Sequence, residues 1–224
     1  MPENSLHAAI KDHLLLPGDR FEGKIDGYII DIIREAYLVE IQTKNFYALK
    51  PKLSSLLDNH QVNIVHPIAK QKWIIRVNGD GKVLSRRKSP KRGTLYDVFN
   101  QLIYIPQFLN HPNLSISVLM IDQEDILCDN GKGSWRRKGW GLVDQRLRKV
   151  HEIFDFHSLE DLVTLVDRNL PASFSNAELA GSLGCPVQLA RKITYTLHHA
   201  DYLVRAGKKG RAILYSHPQA VSNG

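Results

Sequence analysis

The sequence contains few cysteines and no long apolar run, and both absences exclude classes of protein. The two cysteines, Cys128 and Cys185, are far apart, so they form neither a disulfide framework nor a Cys-x-x-Cys metal site. No apolar stretch approaches the roughly 18 residues that would cross a bilayer. The first residues also lack the charged-then-apolar pattern of a signal peptide. We therefore expect a cytoplasmic protein with no membrane partner.

Several catalytic and cofactor motifs are also missing. Residues 131–134 (Gly-Lys-Gly-Ser) lack the upstream glycine of a phosphate-binding P-loop. The adjacent His198 and His199 would diverge by about 100° on a helix, which does not suit a metal pair. Nothing arranges Ser, His and Asp as a catalytic triad, and there is no internal repeat.

An excess of positive charge is the most informative feature of the composition. The 224 residues are 43% hydrophobic and 24% charged, with a formal net charge of +7. Residues 86–150 hold 12 basic and 6 acidic side chains, whereas residues 1–85 hold 11 and 10, and residues 151–224 hold 7 and 7. A polyanion is the first partner to consider.

The first seventy residues have the apolar periodicities of an α/β domain. They predict, in order, a helix over 5–16, strands over 20–25, 28–34 and 36–43, a helix over 48–57 and a strand over 62–68. Beyond them we expect a hairpin of 73–77 with 82–84, a helix over 94–105 and a strand over 114–121. Two basic loops are also predicted, over 86–93 and over 134–140, the second bracketed by Trp135 and Trp140.

The two basic loops fit a path for nucleic acid, because cations neutralise phosphates and tryptophans stack on splayed bases. A solvated loop is the alternative. The candidate contacts are Arg86, Arg87, Lys88, Lys91, Arg92, Arg136, Arg137 and Lys138.

Residues 157–217 resemble a winged helix-turn-helix domain. Helices are predicted over 158–167, 176–183 and 187–200, with a glycine-containing turn between the last two and a basic hairpin after them. DNA contact is one interpretation, and protein docking is the other, since this third of the chain is neutral. The predicted DNA contacts are Arg191 and Lys192 on the last helix, with Gln188 and Tyr195 beside them, and Lys208, Lys209 and Arg211 in the wing.

Two carboxylates interrupt apolar strands in the meander. Asp31 lies within Tyr28–Ile33, and Glu40 lies within Tyr37–Thr43. A carboxylate among buried residues is costly unless a metal or another charge balances it. Strand periodicity places Gln42 and Lys44 on the face of Glu40. The alternative is a pair of salt bridges to nearby cations, namely Arg20, Lys24 or Arg34.

At these residues the chain resembles the PD-(D/E)xK nuclease superfamily. The resemblance covers residues 5–68 and implies that Asp31, Glu40 and the carbonyl of Ile41 hold Mg²⁺ or Mn²⁺ for hydrolysis of a phosphodiester. Gln42 stands where the family has lysine; it can orient a water but carries no charge, and Lys44 could supply the ammonium. Glu22 is the candidate third acid, and His7 and Lys11 are weaker candidates.

These patterns together predict an α/β protein with a restriction-endonuclease-like mixed sheet flanked by helices and a small winged-helix domain. The expected divisions are a nuclease-like domain over 1–156, a winged helix over 157–217 and a flexible tail over 218–224. The predicted function is metal-dependent DNA endonuclease. The alternatives are a non-catalytic DNA-binding regulator or assembly factor that keeps the fold, and an RNA-binding module. The expected partners are DNA and a second copy or a partner protein bound through the winged helix.

Overall fold

The computed structural model describes residues 5–129, 139–166 and 170–218. The amino-terminal part runs α1 (Ser5–Leu14), β1 (Arg20–Ile25), β2 (Tyr28–Ile33), β3 (Leu38–Ile41), α2 (Lys50–Leu56), β4 (Val62–Val77), β5 (Val83–Lys88), α3 (Phe99–Leu102), β6 (Leu114–Asp129) and β7 (Trp140–Phe156). The carboxyl-terminal part runs α4 (Leu159–Val163), β8 (Ser173–Ser175), α5 (Asn176–Leu183), α6 (Val187–His199), β9 (Val204–Lys209) and β10 (Ala212–Ser216). No helix in these described ranges is long and apolar enough to span a membrane.

Seven of the described strands form one large sheet. Its order is β1-β2-β3-β4-β6-β7, and β5 pairs with β4 outside this path. Neighbours β1 and β2, β2 and β3, and β4 and β5 are antiparallel. The crossover from β3 to β4 instead passes through α2, a connection typical of parallel strands. The molecule is therefore an α/β protein with a mixed sheet flanked by helices, as predicted from the sequence.

The β1–β2 turn follows directly from its sequence. Asp26 and Gly27 have φ angles of 48° and 87°, and positive φ at both central residues is what a two-residue hairpin turn needs. Aspartate tolerates this region, and glycine adopts it without steric cost. The turn sets the register that brings Glu22 of β1 opposite Asp31 of β2.

Helix α1 covers one apolar cluster of the sheet. Leu6 and Ile10, which are 1% and 0% exposed, pack with Ile32, Val39 and Ile41 of the second and third strands. Residues 6 and 10 are one helical turn apart, so the opposite side of the same turns is left for polar groups. Burial of these side chains holds α1 against β2 and β3.

By its internal contacts the chain divides into two compact units. Among the described residues, the first unit comprises 5–43, 64–95 and 117–154, and the second comprises 44–63, 96–116 and 155–218. In the second unit, β8, β10 and β9 form a small antiparallel sheet in that order. A short turn joins α5 to α6. It begins at Gly184, whose left-handed conformation, with a φ of 61°, ends α5.

Several predicted elements differ from the structure. The strand predicted over 62–68 and the one over 73–77 are a single strand, β4, because the polar residues 70–72 continue the extended backbone. Residues 86–88 belong to β5 and not to a loop, since each pairs with β4. The helix predicted over 94–105 is a 3₁₀ turn over Leu95–Val98 followed by the short α3. Strand β7 was not predicted, and the second basic loop, apart from Gly139 and Trp140, lies outside the described residues.

Candidate functional site

Three carboxylates lie in one row across the first three strands. The β1–β2 pairs on either side of Glu22 place it opposite Asp31. The β2–β3 register, continued by one residue beyond Ile32 and Val39, places Asp31 opposite Glu40. Directly opposed residues share a face of the sheet, where like charges are destabilising. We call Glu22, Asp31 and Glu40 the carboxylate row.

Strands β2 and β3 cease to pair through their backbones at this row. Their paired residues end at Ile32 and Val39, and the backbone N–H of Ile41 donates instead to Oδ2 of Asp31 at 2.8 Å. The carboxylate of Asp31 thus accepts a backbone N–H, as the carbonyl of a neighbouring strand does elsewhere in the sheet. This bond fixes one oxygen of Asp31 and holds its side chain between the two strands.

Helix α1 brings two basic groups to the row. His7 Nε2 lies 3.0 Å from Oδ1 of Asp31, and Lys11 Nζ donates to Oε1 of Glu22 at 2.7 Å. Residues four apart share one side of a helix, so a single turn of α1 serves two members of the row. Of the cations expected from the sequence as salt-bridge partners, Arg34 pairs with Asp19 at 2.7 Å.

The Lys11–Glu22 pair is unequal in exposure. The side chain of Lys11 is 10% exposed, whereas that of Glu22 is 58% exposed. Glu22 also has a φ of 54°, an uncommon conformation for a residue with a side chain. The ammonium of Lys11 is therefore better shielded from solvent than the carboxylate of Glu22 to which it donates.

The backbone of Gln42 is fixed on both sides. Its N–H donates to Val65 O at 2.8 Å, and its carbonyl lies 2.7 Å from Nδ1 of His66. Because a carbonyl only accepts, Nδ1 of His66 carries a proton. Gln42 therefore follows Glu40 and Ile41 on a segment whose backbone is held at both its N–H and its carbonyl.

Oxygen donors suit Mg²⁺, which is commonly held by one or two carboxylates with waters and substrate phosphates completing its shell. Asp31 and Glu40 are such donors on neighbouring strands, so their chemistry fits the ion. Among the His, Cys, Asp and Glu side chains that the structure describes, no group of three is arranged to hold a metal. Lys44 belongs to the second compact unit.

The predicted nucleic-acid contacts of the first unit lie on and after β5. Every residue of β5 is exposed, as are Lys91 and Arg92 beyond it. Arg86, Arg87 and Lys88 are therefore available on an edge strand. Arg136, Arg137 and Lys138 lie outside the described residues.

The predicted contacts of the second unit separate into an exposed stripe and a tethered lysine. Gln188, Arg191, Tyr195 and His199 are exposed on α6 at helical spacing. Lys192 instead donates from Nζ to Oδ1 of Asn100 at 2.7 Å, on the side of α6 that packs against α3. Lys208, Lys209 and Arg211 are exposed in the β9–β10 hairpin.

Sequence reasoning undervalued Lys11 and missed the roles of Trp73 and Arg148. The i, i+4 spacing of His7 and Lys11 could have indicated a shared role, because residues four apart lie on one side of a helix. When the apolar side of that helix packs on a sheet, such a pair can contact neighbouring strands. Arg148 lies on the unpredicted β7, and its guanidinium is 5.0 Å from the centroid of the Trp73 ring. No local pattern could pair residues 75 positions apart.

Comparison with known proteins places the chain in a family. A 214-residue stretch, 95% of the chain, is 31% identical to a protein from Treponema pallidum (strain Nichols) described as "Uncharacterized protein", and it covers 84% of that protein. No solved structure matches the chain. The model of the family described as "Domain of unknown function (DUF8091)" matches residues 4–157, which include α1, the large sheet and the carboxylate row. The chain belongs to this DUF8091 family.

Proposed function

We propose that the protein is a metal-dependent DNA endonuclease of the PD-(D/E)xK type. The observation that carries the proposal is the carboxylate row, in which Glu22, Asp31 and Glu40 occupy one level of three adjacent strands. Asp31 and Glu40, opposed on β2 and β3, repel one another and gain by sharing a cation. The order of elements from α1 to β4 also matches that superfamily.

The roles of the residues follow from their positions. Asp31 and Glu40 would hold Mg²⁺, and the carbonyl of Ile41 would add a third oxygen. When bound, the ion would polarise a phosphoryl oxygen and lower the pKa of its water. Asp31 is held by the Ile41 amide at 2.8 Å, so its orientation is set before any substrate arrives. Such preorganisation is what electrostatic catalysis requires.

Lys11 is the best candidate for the ammonium that Gln42 cannot supply. It is 8% exposed, and its Nζ stands at the row through its bond to Glu22. A shielded ammonium stabilises negative charge that develops on a phosphate more strongly than a solvated one. Gln42 would orient the attacking water through its side-chain amide, and Lys44 would be dispensable.

The second unit would bind DNA as a winged helix. Helix α6 presents Arg191 and Tyr195 in its exposed stripe, and the β9–β10 hairpin presents Lys208 and Arg211. A recognition helix lies in the major groove while basic residues of a wing contact the backbone. Exposed Arg and Tyr side chains suit that use, because they can contact phosphates and bases.

Plasmid cleavage tests the proposal. Wild-type protein with Mg²⁺ or Mn²⁺ is expected to nick or linearise supercoiled DNA, and EDTA to abolish the activity. Asp31→Asn and Lys11→Met are each expected to lower the rate by about 100-fold or more, the usual effect of removing one charge-stabilising group. Glu35→Gln, which neutralises an exposed carboxylate in the β2–β3 turn, is the matched control and is expected to cut normally.

Two outcomes contradict the catalytic proposal. One is equal cleavage by wild type and Asp31→Asn, which would assign the activity elsewhere. The other is an absence of cleavage on supercoiled, linear, branched and single-stranded DNA while binding persists. Circular dichroism spectra and melting curves of each variant confirm that a lost activity is not a lost fold.

A non-catalytic DNA-binding protein is the second candidate. Lys11 and His7 already contact two members of the row within hydrogen-bond distance, and Gln42 stands at the lysine position. Carboxylates that are hydrogen-bonded within the protein can stabilise the fold without a metal. Isothermal titration with Mg²⁺ and Mn²⁺ separates the candidates, since this second one predicts no binding that Asp31→Asn abolishes.

A further inference from the structure

Three cations surround the indole of Trp73 on the large sheet. The guanidinium carbon of Arg148 lies 5.0 Å from the ring centroid, and that of Arg86 lies 5.6 Å from it. Lys88 Nζ lies 5.6 Å from the same centroid, and Lys88 pairs directly with Trp73 in the β4–β5 register. Residues from β4, β5 and β7 thus converge on one ring. Together with Glu124 of β6 they are called the Trp73 cluster below.

One carboxylate is shared by two of these cations. Oε1 of Glu124 accepts from Nη1 of Arg148 at 2.8 Å and from Nη2 of Arg86 at 3.3 Å. The cluster therefore contains three positive charges and one negative charge. Its net excess of two positive charges is held in place by an aromatic ring and by a single oxygen.

The arrangement is more ordered than solubility requires. Edge strands commonly carry splayed, solvated charges that discourage aggregation, and β5 is such an edge. In the Trp73 cluster, however, like charges from different strands are drawn together, which costs electrostatic repulsion and side-chain entropy. The side chains of Arg86 and Arg148 remain 45% and 42% exposed. An anion bound to them from solvent would offset the repulsion.

We propose that the Trp73 cluster binds the phosphodiester backbone of a nucleic acid, at a site distinct from the carboxylate row. Guanidinium groups bind phosphate oxygens through paired N–H donors, and stacking on an indole fixes their planes beforehand. Arg87 on β5 and Lys91 and Arg92 after it are exposed and extend the positive charge along the chain. The site positions a strand and reads no sequence, because phosphate contacts carry no base information.

A polymer with fixed phosphate spacing suits this geometry better than a membrane does. Attraction to anionic lipid depends on the number of cations near the surface and needs no fixed orientation. Here two of the three cations are arginines, each ordered over the ring of Trp73 and against Glu124. A fixed orientation of the guanidinium groups gives no advantage on a fluid lipid surface, whereas it favours binding to the regularly spaced phosphates of a nucleic acid.

Fluorescence anisotropy in EDTA tests the proposal without cleavage. The probes are a labelled 30-base-pair DNA duplex, the matching single strand, an RNA of the same length and vesicles of phosphatidylserine and phosphatidylcholine. The double variant Arg86→Gln/Arg148→Gln is expected to weaken duplex binding by at least tenfold at about 0.1 M salt. It should also lower the slope of log K against log salt by about two, or 0.9 for each lost phosphate contact. Lys149→Gln removes an exposed charge from the neighbouring position of β7 and is expected to bind normally.

Trp73 itself provides a second measurement that does not depend on the charge variants. The chain has three tryptophans, so Trp135→Phe/Trp140→Phe leaves Trp73 as the only one. Its emission is expected to change on addition of DNA and to return at high salt. Arg86→Lys/Arg148→Lys keeps the charge but loses the paired N–H donors, so it should keep the salt slope of wild type and bind with an affinity between those of wild type and the glutamine variant. This variant remains informative if the glutamine pair destabilises the sheet.

The results bear on the proposal in distinct ways. Tighter binding of RNA than of DNA, with the same loss in the glutamine variant, supports the site and assigns its polymer. Duplex binding that the glutamine variant leaves unchanged overturns the proposal, as does an emission of Trp73 that no nucleic acid alters. Binding to vesicles alone overturns it in favour of a membrane. This proposal shares with the proposed function only its nucleic-acid partner. A protein that binds nucleic acid at the Trp73 cluster but cuts no DNA would therefore contradict the endonuclease proposal and support the binding proposal.

Discussion

At the scale of single residues, Asp19 and Arg34 form an ion pair with several hydrogen bonds in the first unit. Arg34 donates from Nε and Nη2 to the two oxygens of Asp19 at 2.8 and 2.7 Å, and Nη2 also donates to Leu14 O at 2.9 Å. Nη1 donates to the hydroxyl of Tyr37 at 2.6 Å. The side chain of Asp19 is 3% exposed. This pair ties the end of α1 to the β2–β3 turn.

The stability of this pair is expected to depend on pH. The hydrogen bond from Arg34 is the largest cause that holds the pKa of Asp19 below its usual value of 3.8. A lowered folded-state pKa adds stability above the unfolded-state pKa, and that stability is lost as pH falls through the folded-state value. Asp19→Asn should therefore cost about 2 kcal/mol of unfolding free energy at pH 7, and the cost should shrink below about pH 4. Urea unfolding of both proteins from pH 7 to pH 2.5 measures it.

An equal cost across that range would mean that the charge of Asp19 contributes nothing and that the cost comes from the new amide nitrogen, which donates where a carboxylate oxygen accepted. Glu35→Gln is the control, because Glu35 follows Arg34 in the β2–β3 turn and is exposed. It should shift stability by less than about 0.5 kcal/mol at every pH, as for most surface substitutions.

The sequence identifies residues of the site only where the local pattern is anomalous. Asp31 and Glu40 stand out because each interrupts an apolar strand. Lys11 does not, because a lysine on an amphipathic helix normally faces solvent. Its burial depends on the angle at which α1 crosses the sheet, which is a tertiary property. The partners of Trp73 depend likewise on strand order.

At the scale of elements, prediction succeeded where periodicity and turn residues agree. Strand β1 was predicted with its observed bounds, and α5 with its bounds as well, because Asp26-Gly27 and Gly184 define their ends. Strand β7 failed for the opposite reason. Most of its 17 residues are exposed or only partly buried, so neither face required apolar residues and no alternation could form.

The start of α5 permits a prediction for one element. Ser175 and Glu178 form a capping box: the N–H of Glu178 donates to Ser175 Oγ, and the N–H of Ser175 donates to the Glu178 carboxylate. Ser175→Ala leaves an orphaned donor at the helix start, so we expect a loss of about 1 kcal/mol of unfolding free energy. Thermal melting followed by circular dichroism measures the loss.

A comparison with Gly181→Ala makes this prediction specific. Gly181 is exposed near the end of the same helix, and a Cβ added there meets no atom within 4 Å, so alanine has the better helix propensity. That variant is expected to melt at or slightly above the temperature of wild type. If both variants lose the same stability, the capping box does not determine the stability of α5.

At the scale of the whole molecule, the positive charge is divided between the two units. The first unit holds the carboxylate row and the Trp73 cluster, and the second holds the exposed stripe of α6 and the basic hairpin. Each unit has a set of exposed cations. If these bind phosphates as proposed, neither set alone is expected to give high affinity, because a few contacts are weak at physiological salt. Two modest sites on one chain gain affinity when they engage one polymer.

The dependence of affinity on duplex length follows from this division. If both units bind one DNA molecule, a 40-base-pair duplex should bind about 100-fold more tightly than a 10-base-pair duplex of about 34 Å, after correction for the number of overlapping sites. Arg191→Gln on α6 and Arg86→Gln/Arg148→Gln on the sheet should each remove most of that advantage while changing 10-base-pair affinity less. Lys149→Gln should leave it intact. Equal affinity per site at both lengths would show that the units do not share one DNA molecule, and the excess charge would then serve two separate partners.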